Sequence, residues 1–230
     1  MKYIYITMVQ LPTFANKCVK FFTGFDYSHS SISFSENLDK LYSFQIKNRK
    51  AFLVGGFVEE THDTYFHGKD VSLKEMLFKI PVEDDKYNEI VNFIDTVKND
   101  QEYMFNYVSA LFMFVFGGVK AYKSYHCIEF ITEVLNRTGS VVSSKPPHKM
   151  KPKDLYQLLQ YYKIQDGMIN FRDFVPKQNP FMKKLKMGVK IKKSIYSVKE
   201  AICRFILQRP TKNFNYKNIN FYDEDCIQAS

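Results

Sequence analysis

The first part of the chain, up to residue 82, consists largely of short segments in which apolar and polar residues alternate. This is the period of a half-buried β-strand, and polar turns separate the segments. The second and third segments face each other across the turn at residues 35–39, as in a β-hairpin. The predicted strands cover residues 2–9, 28–34, 41–46, 52–58 and 76–82, the fourth being interrupted by Gly55-Gly56. Strands joined in this way predict one antiparallel sheet.

Helical periods dominate the rest of the body. Helices are predicted at residues 13–22, 84–97 and 105–116, from Cys127 onward, and at 152–162. The apolar run at residues 105–119 spans about 15 residues, which is short of the roughly 20 needed to cross a bilayer, so we predict a buried helix there. The sequence therefore predicts an α+β domain that ends near residue 175.

The basic character of the chain is concentrated after this domain. The formal net charge is +9, but residues 1–176 carry 21 basic against 20 acidic residues, whereas residues 177–230 carry 12 against 4. We therefore expect two parts, a domain at 1–175 and a basic amphipathic extension at 176–230. The extension is predicted to form a helix that docks its apolar stripe on the body. The alternative is that residues 177–209 bind an anionic membrane surface. Binding to nucleic acid is disfavoured because few aromatic residues interleave with the lysines.

Four cysteines are scattered without a C-x-x-C pair or a zinc-like spacing, so neither a disulfide framework nor a metal site is predicted. The N-terminal segment reads as a strand and lacks a signal-peptide cleavage site, which indicates a cytoplasmic protein, with peripheral membrane association through the tail as the alternative. There is no glycine-rich dinucleotide or phosphate loop, and we expect no cofactor.

Cys127 is the cysteine whose setting favours chemistry. It precedes an amphipathic helix, where unpaired backbone amides favour a thiolate and can hold an oxyanion. A nucleophilic thiol also needs an imidazole. His29 begins a strand that would fix its ring, whereas His62, His67 and His148 fall in polar loops and His126 is expected to point away from its neighbour. Pairing of Cys127 with His29 is the functional hypothesis, and a structural role for both is the alternative.

Four segments carry a resemblance to a known family. They are Asp-Tyr-Ser-His29-Ser-Ser-Ile-Ser-Phe, Leu-Tyr-Ser43-Phe-Gln, Gly-Gly-Phe-Val-Glu-Glu and Tyr-His-Cys127-Ile-Glu-Phe-Ile-Thr-Glu-Val-Leu. In this order they resemble the circularly permuted branch of the NlpC-type papain-like cysteine hydrolases, which is similar to the lecithin:retinol acyltransferase group. The resemblance covers roughly residues 1–165 and implies a papain-like antiparallel sheet packed against helices.

The resemblance also implies roles for individual residues. Cys127 would be the nucleophile, His29 the general base, and Ser43 or Gln45, on the next strand, the polar residue that orients the imidazole. The implied substrate has an amide or ester carbonyl, in a peptide, a cell-wall amide or a lipid. The bulky Ile128 beside the nucleophile and the lack of a charged third residue favour an alternative, a catalytically idle scaffold whose basic tail binds a membrane or a partner.

Overall fold

A computed structural model describes the chain except for residues 52, 114–116, 175–180, 182, 216–217 and 219–230. Six of its strands form one sheet in the order β4-β3-β2-β1-β5-β8, with antiparallel neighbours throughout. These strands are β1 (Lys2–Val9), β2 (His29–Ser33), β3 (Leu41–Ile46), β4 (Gly55–Glu60), β5 (Ser72–Val82) and β8 (Lys163–Asn170). The shorter strands β6 (Met104–Phe105) and β7 (Ser124–Tyr125) pair in parallel. The prediction of an α+β protein with an antiparallel sheet is confirmed.

Seven α-helices lie in the described part of the chain. They are α1 (Phe14–Thr23), α2 (His62–Tyr65), α3 (Asp84–Asn99), α4 (Tyr107–Phe112), α5 (Cys127–Arg137), α6 (Pro152–Leu159) and α7 (Met187–Leu207). Short 3-10 turns lie at Pro147–Lys149, Gln160–Tyr162 and Phe171–Asp173. None of the described helices combines the length and the apolar character that crossing a membrane requires.

Both faces of the sheet are covered. On one face, alternate β1 residues such as Ile4 and Ile6 pack with Phe130 of α5 and Ile90 of α3 in the main core. On the other face, Tyr5 and Val9 pack with residues that include Leu41, Tyr65 and Phe66. Burial on both faces makes β1 a central strand, and β2 lies beside it with all five residues buried. The strand that begins at His29 is therefore held rigidly in the middle of the protein.

The apolar run after residue 104 is not one buried helix. Its first residues form β6, and Asn106 then caps α4 by accepting a hydrogen bond of 3.0 Å from the Ser109 amide. Leu111 is 72% exposed, so the prediction of a buried helix is wrong for the described residues, and residues 114–116 lie outside them. The side-chain cap starts the helix later than periodicity alone indicated.

One predicted strand has bounds other than those expected, and one observed strand was not predicted. The strand predicted at 52–58 begins at Gly55 and continues to Glu60, while residue 52 lies outside the described residues. Strand β8 was not predicted. It is an edge strand in which Ile169 alone is buried, and its Asp-Gly pair reads as a turn, so its sequence lacks the alternation of a half-buried strand.

Helix α7 packs against the body mostly through polar and charged side chains. Leu185, just before α7, packs with Ala51, Val54 and Met104 of the body. The buried positions of the helix itself are mostly polar or charged: Lys193, Ser197, Glu200, Ala201 and Arg204. The Arg204 guanidinium contacts Glu200 at 3.0 Å and donates to backbone carbonyls at Glu102 and Lys123. The prediction that the apolar positions of the extension face the body is right for Leu185 and Val189. It is wrong for the later positions, because this buried ion pair holds the opposite face of the helix against the body; the exposed apolar residues are Ile195, Val198, Ile202, Phe205 and Ile206.

Candidate active site

The sheet and helix α5 bring together the two residues that the sequence singled out. His29 is the first residue of β2, opposite Val9 of β1, and is 2% exposed. Cys127 is the first residue of α5, which packs against β2. The Cys127 thiol donates to the backbone carbonyl of Ser28 at 3.8 Å, one residue before the histidine. The structure therefore places thiol and imidazole side by side in a buried site.

A buried carboxylate completes this arrangement. His29 Nε2 lies 2.9 Å from Oε1 of Glu60, the last residue of β4, and both side chains are almost fully buried. The His29 ring also interacts with the Cys127 thiol. We refer to Cys127, His29 and Glu60 as the triad.

The predicted orienting residues surround this carboxylate. Ser43 Oγ lies 3.4 Å from His29 Nε2, a longer contact than that of Glu60, and Gln45 donates its side-chain amide to Glu60 Oε2. Ser31 donates to Glu60 Oε1 and lies 3.3 Å from the same ring nitrogen. Ser43 and Gln45 are thus part of the network, and the charged group against the imidazole is Glu60.

Glu60 lies in one of the four segments that carry the family resemblance, but no role was predicted for it. Glu60 ends the segment Gly-Gly-Phe-Val-Glu-Glu, and β4 pairs with β3 so that Ser43 faces Val58 and Leu41 faces Glu60. Because side chains alternate along a strand, Val58 and Glu60 share the face of Ser43 and Gln45. The β3–β4 register identifies this carboxylate, but the strand was predicted to end at residue 58, which left Glu60 in the loop that follows.

The electrostatics favour an ion pair between thiol and imidazole. Burial disfavours the charged His29 imidazolium, but the Glu60 carboxylate and the interaction with Cys127 together outweigh this effect and raise the pKa of His29 to about 10. Burial likewise opposes the Cys127 thiolate, but the neighbouring rings of His126 and His29 stabilise its charge and lower the pKa of Cys127 to about 6. The pKa of Glu60 is held below its usual value despite burial, since His29, Ser31 and Ser43 stabilise its charge. The pKa shifts of His29 and Cys127 both favour a thiolate beside an imidazolium over a neutral thiol beside a neutral imidazole.

His126 contributes more than the sequence indicated. Its Nδ1 accepts a hydrogen bond of 3.3 Å from the Glu129 amide and so caps α5, while the Glu129 side chain returns to the His126 amide. It also interacts with the Cys127 thiol and lowers its pKa, so the expectation that it points away is wrong. Its Nε2 has no hydrogen-bond partner among the described residues.

The loop predicted to be polar instead forms a buried support behind the site. This loop contains α2, whose Tyr65 is fully buried. The Tyr65 hydroxyl donates to Ser31 Oγ at 2.9 Å and lies 3.2 Å from Thr7 Oγ1. His62 pairs with Glu75 at 3.1 Å, and burial lowers the pKa of the largely enclosed His67 to about 4. Both histidines, which the sequence placed in a polar loop, are therefore largely enclosed by the protein.

Two further observations limit what else the site contains. A hydroxyl near the site could donate a hydrogen bond to a substrate oxyanion, but that of Tyr27 donates to Asp166 at 3.3 Å. The backbone amides at the first turn of α5 are therefore the candidate oxyanion donors. The described residues include no group of histidines, cysteines and carboxylates that could hold a metal ion.

No protein-family model, no curated protein and no solved structure matches this chain. The geometry of the site is therefore what indicates its function.

Proposed function

We propose that this protein is a cysteine hydrolase or acyltransferase that acts on an amide or ester carbonyl through a Cys127 acyl-enzyme. The observation that carries the proposal is the buried triad, in which a carboxylate 2.9 Å from His29 Nε2 supports an imidazolium next to a thiol of lowered pKa. A structural cysteine needs none of these features, because a buried thiol without charged neighbours stays protonated and unreactive.

The proposed reaction proceeds in two halves. The Cys127 thiolate attacks the carbonyl carbon, a C–S bond forms, and the carbonyl oxygen takes the negative charge against the α5 amides. As the tetrahedral intermediate collapses, His29 donates its proton to the leaving amine or alcohol and a thioester remains. Water or an acceptor alcohol or amine then attacks the thioester and gives its proton to His29. The released product is an acid, ester or amide, and the thiolate–imidazolium pair is restored.

The arrangement of the elements supports a permuted papain-like fold. The strand that bears the histidine precedes the helix that bears the cysteine, and α5 packs across β2 and β3 with the cysteine at its N-terminus. This is the order that the resemblance to the permuted NlpC-type hydrolases implies. Glu60 then takes the place of the third residue, for which Ser43 and Gln45 were the sequence candidates.

The burial of the thiol favours one second candidate, a catalytically idle scaffold of the same architecture. Cys127 is only 8% exposed, and a substrate carbonyl must reach its sulfur. An idle site and a working site differ in whether a small acyl donor can acylate the thiol. The reactivity of Cys127 toward such a donor therefore separates the two candidates.

The test uses a small activated ester, p-nitrophenyl acetate, and peptide mapping of the acetylated residues. We expect rapid acetylation of Cys127 and loss of that reaction in His29→Ala. Cys18, which is half-buried on α1 and outside the triad, supplies the control: Cys18→Ser should react like the wild type. Equal and slow acetylation of Cys18 and Cys127 would contradict the proposal and favour the scaffold.

A further inference from the structure

Helix α7 has an inverted arrangement for a helix that packs on a globular body. Its buried positions include Lys193, Glu200 and Arg204, while its large apolar residues point to solvent. The apolar residues are between 39% and 68% exposed: Met187, Ile191, Ile195, Val198, Ile202, Phe205 and Ile206. A helix normally places such residues against the core, so this face is built for contact with something outside the described fold.

The exposed apolar residues form one continuous stripe. They recur every three or four residues, which places them on the same side of the helix. From Met187 to Ile206 the stripe is about 29 Å long at the rise of an α-helix. A shallow depression of about 220 Å³ lies along it, lined by Ile195, Val198 and, from the body, Leu53. We call these outward residues of α7 the apolar stripe.

Positive charge lies before α7 and along one side of the apolar stripe. Residues 183–209 contain nine basic residues and one acidic residue, Glu200, which is buried against Arg204. Five lysines before and along the helix are exposed: Lys183, Lys184, Lys186, Lys192 and Lys199. They form no ion pair with any acidic residue in the described part of the chain, and by helical period Lys192 and Lys199 flank the stripe on one side. The surface thus combines an apolar ridge with uncompensated positive charge.

We propose that the apolar stripe of α7 docks this protein on an anionic lipid bilayer, with the helix lying in the plane of the membrane surface. The side chains of the stripe would enter the boundary between headgroups and acyl chains, and the flanking lysines would contact acidic headgroups. A second copy of the chain suits the surface less well, because two such faces would bring their lysines together. Charge complementarity therefore selects the anionic membrane.

This docking surface is separate from the triad. The stripe lies on α7, whereas the triad lies on β2, β4 and α5, so a defect in membrane binding is expected to leave acetylation of Cys127 unchanged. The inference goes beyond the proposed chemistry and does not depend on it.

The test is vesicle flotation with the full chain. One set of vesicles contains phosphatidylcholine alone, and the other contains phosphatidylcholine with about one third phosphatidylserine. We expect binding to the anionic vesicles that falls with added salt, and little binding to the neutral ones.

The double variant Lys192→Ala, Lys199→Ala should bind the anionic vesicles more than tenfold more weakly, at about fivefold per lysine. Ile195→Glu with Ile202→Glu should abolish it. Val142→Glu, at an exposed apolar position outside α7, is the control and should bind like the wild type.

The substituted positions are exposed, and thermal melts equal to that of the wild type would show that the variants fold. Equal binding to both vesicle types, no binding to either, or undiminished binding by the Ile195→Glu, Ile202→Glu variant would overturn the proposal. A concentration-dependent dimer that this variant abolishes would also overturn it, because the stripe would then be an interface between copies.

Discussion

At the scale of single residues, the site depends on charges that burial alone would suppress. Cys127, His29 and Glu60 are each nearly inaccessible to water, and desolvation acts against the charged form of every one of them. Mutual contact reverses this effect, since the carboxylate stabilises the imidazolium and the imidazolium stabilises the thiolate. The reactivity of the thiol therefore depends on Glu60, which acts on the thiol through the imidazole.

His126 combines two roles that a pair of substitutions can separate. Asparagine is a good N-cap and would preserve the hydrogen bond to the Glu129 amide, but it lacks the imidazole beside Cys127. We expect His126→Asn to unfold in urea within about 0.5 kcal/mol of the wild type, while the pKa of Cys127 rises. His126→Ala should show the same rise in pKa and in addition lose about 1 kcal/mol of stability. A thiol pKa unchanged in His126→Asn would contradict this assignment.

At the scale of elements, the periodicity of apolar residues predicted the helices and strands in which those residues are buried. Helix α3 has one buried face, formed by Ile90, Ile94 and Val97, and the spacing of its apolar residues encodes that face. Strands β1 and β2 and helix α5 were found from their pattern, although they are buried on more than one face. The edge strand β8 and the Asn106-capped helix α4 have no such face. Glu60 escaped prediction for a related reason: proximity between β4 and His29 is a property of strand register, which the local sequence does not express.

Gly55 at the start of β4 tests how tightly the strand that carries Glu60 is held. A Cβ at Gly55 would lie 2.7 Å from the Gln45 carbonyl oxygen and 2.8 Å from Phe105 Cβ. We therefore expect Gly55→Ala to lower the free energy of unfolding by about 1–3 kcal/mol. Gly167 of β8 has no atom within 4 Å of its added Cβ, so Gly167→Ala is the matched control and should be neutral or slightly stabilising. Urea denaturation gives both values, and equal effects of the two substitutions would refute the close packing of β4.

At the scale of the whole molecule, the C-terminal helix belongs to the folded body. The sequence predicted a domain at residues 1–175 and, separate from it, a basic amphipathic extension at 176–230. Leu185 instead packs with Ala51, Val54 and Met104, and Arg204 is fully buried against backbone carbonyls of the body. Deletion would expose this apolar contact, so point substitutions on the apolar stripe are the sharper probe of the surface.

Arg204 tests the docking of α7. Its removal leaves Glu200 as an uncompensated buried charge, and breaking such a pair costs about 3 kcal/mol or more. We expect Arg204→Leu to lower the urea midpoint of the whole protein in a single transition. Arg209→Leu, at an exposed position just after the helix, should leave the midpoint unchanged. If the two variants unfold alike, α7 contributes nothing to the stability of the body.

The most direct test of the central claim is the rate of Cys127 alkylation by limiting iodoacetamide as a function of pH, in the wild type and in Glu60→Gln. The thiolate is the reactive form, so the wild-type rate should rise with a midpoint near pH 6. Glu60→Gln removes the charge that holds His29 protonated, and the midpoint should move toward the ordinary thiol value of about 8.5, with a fall of up to about 30-fold at pH 7. A wild-type midpoint near 8.5, or a midpoint that Glu60→Gln leaves in place, would contradict the triad.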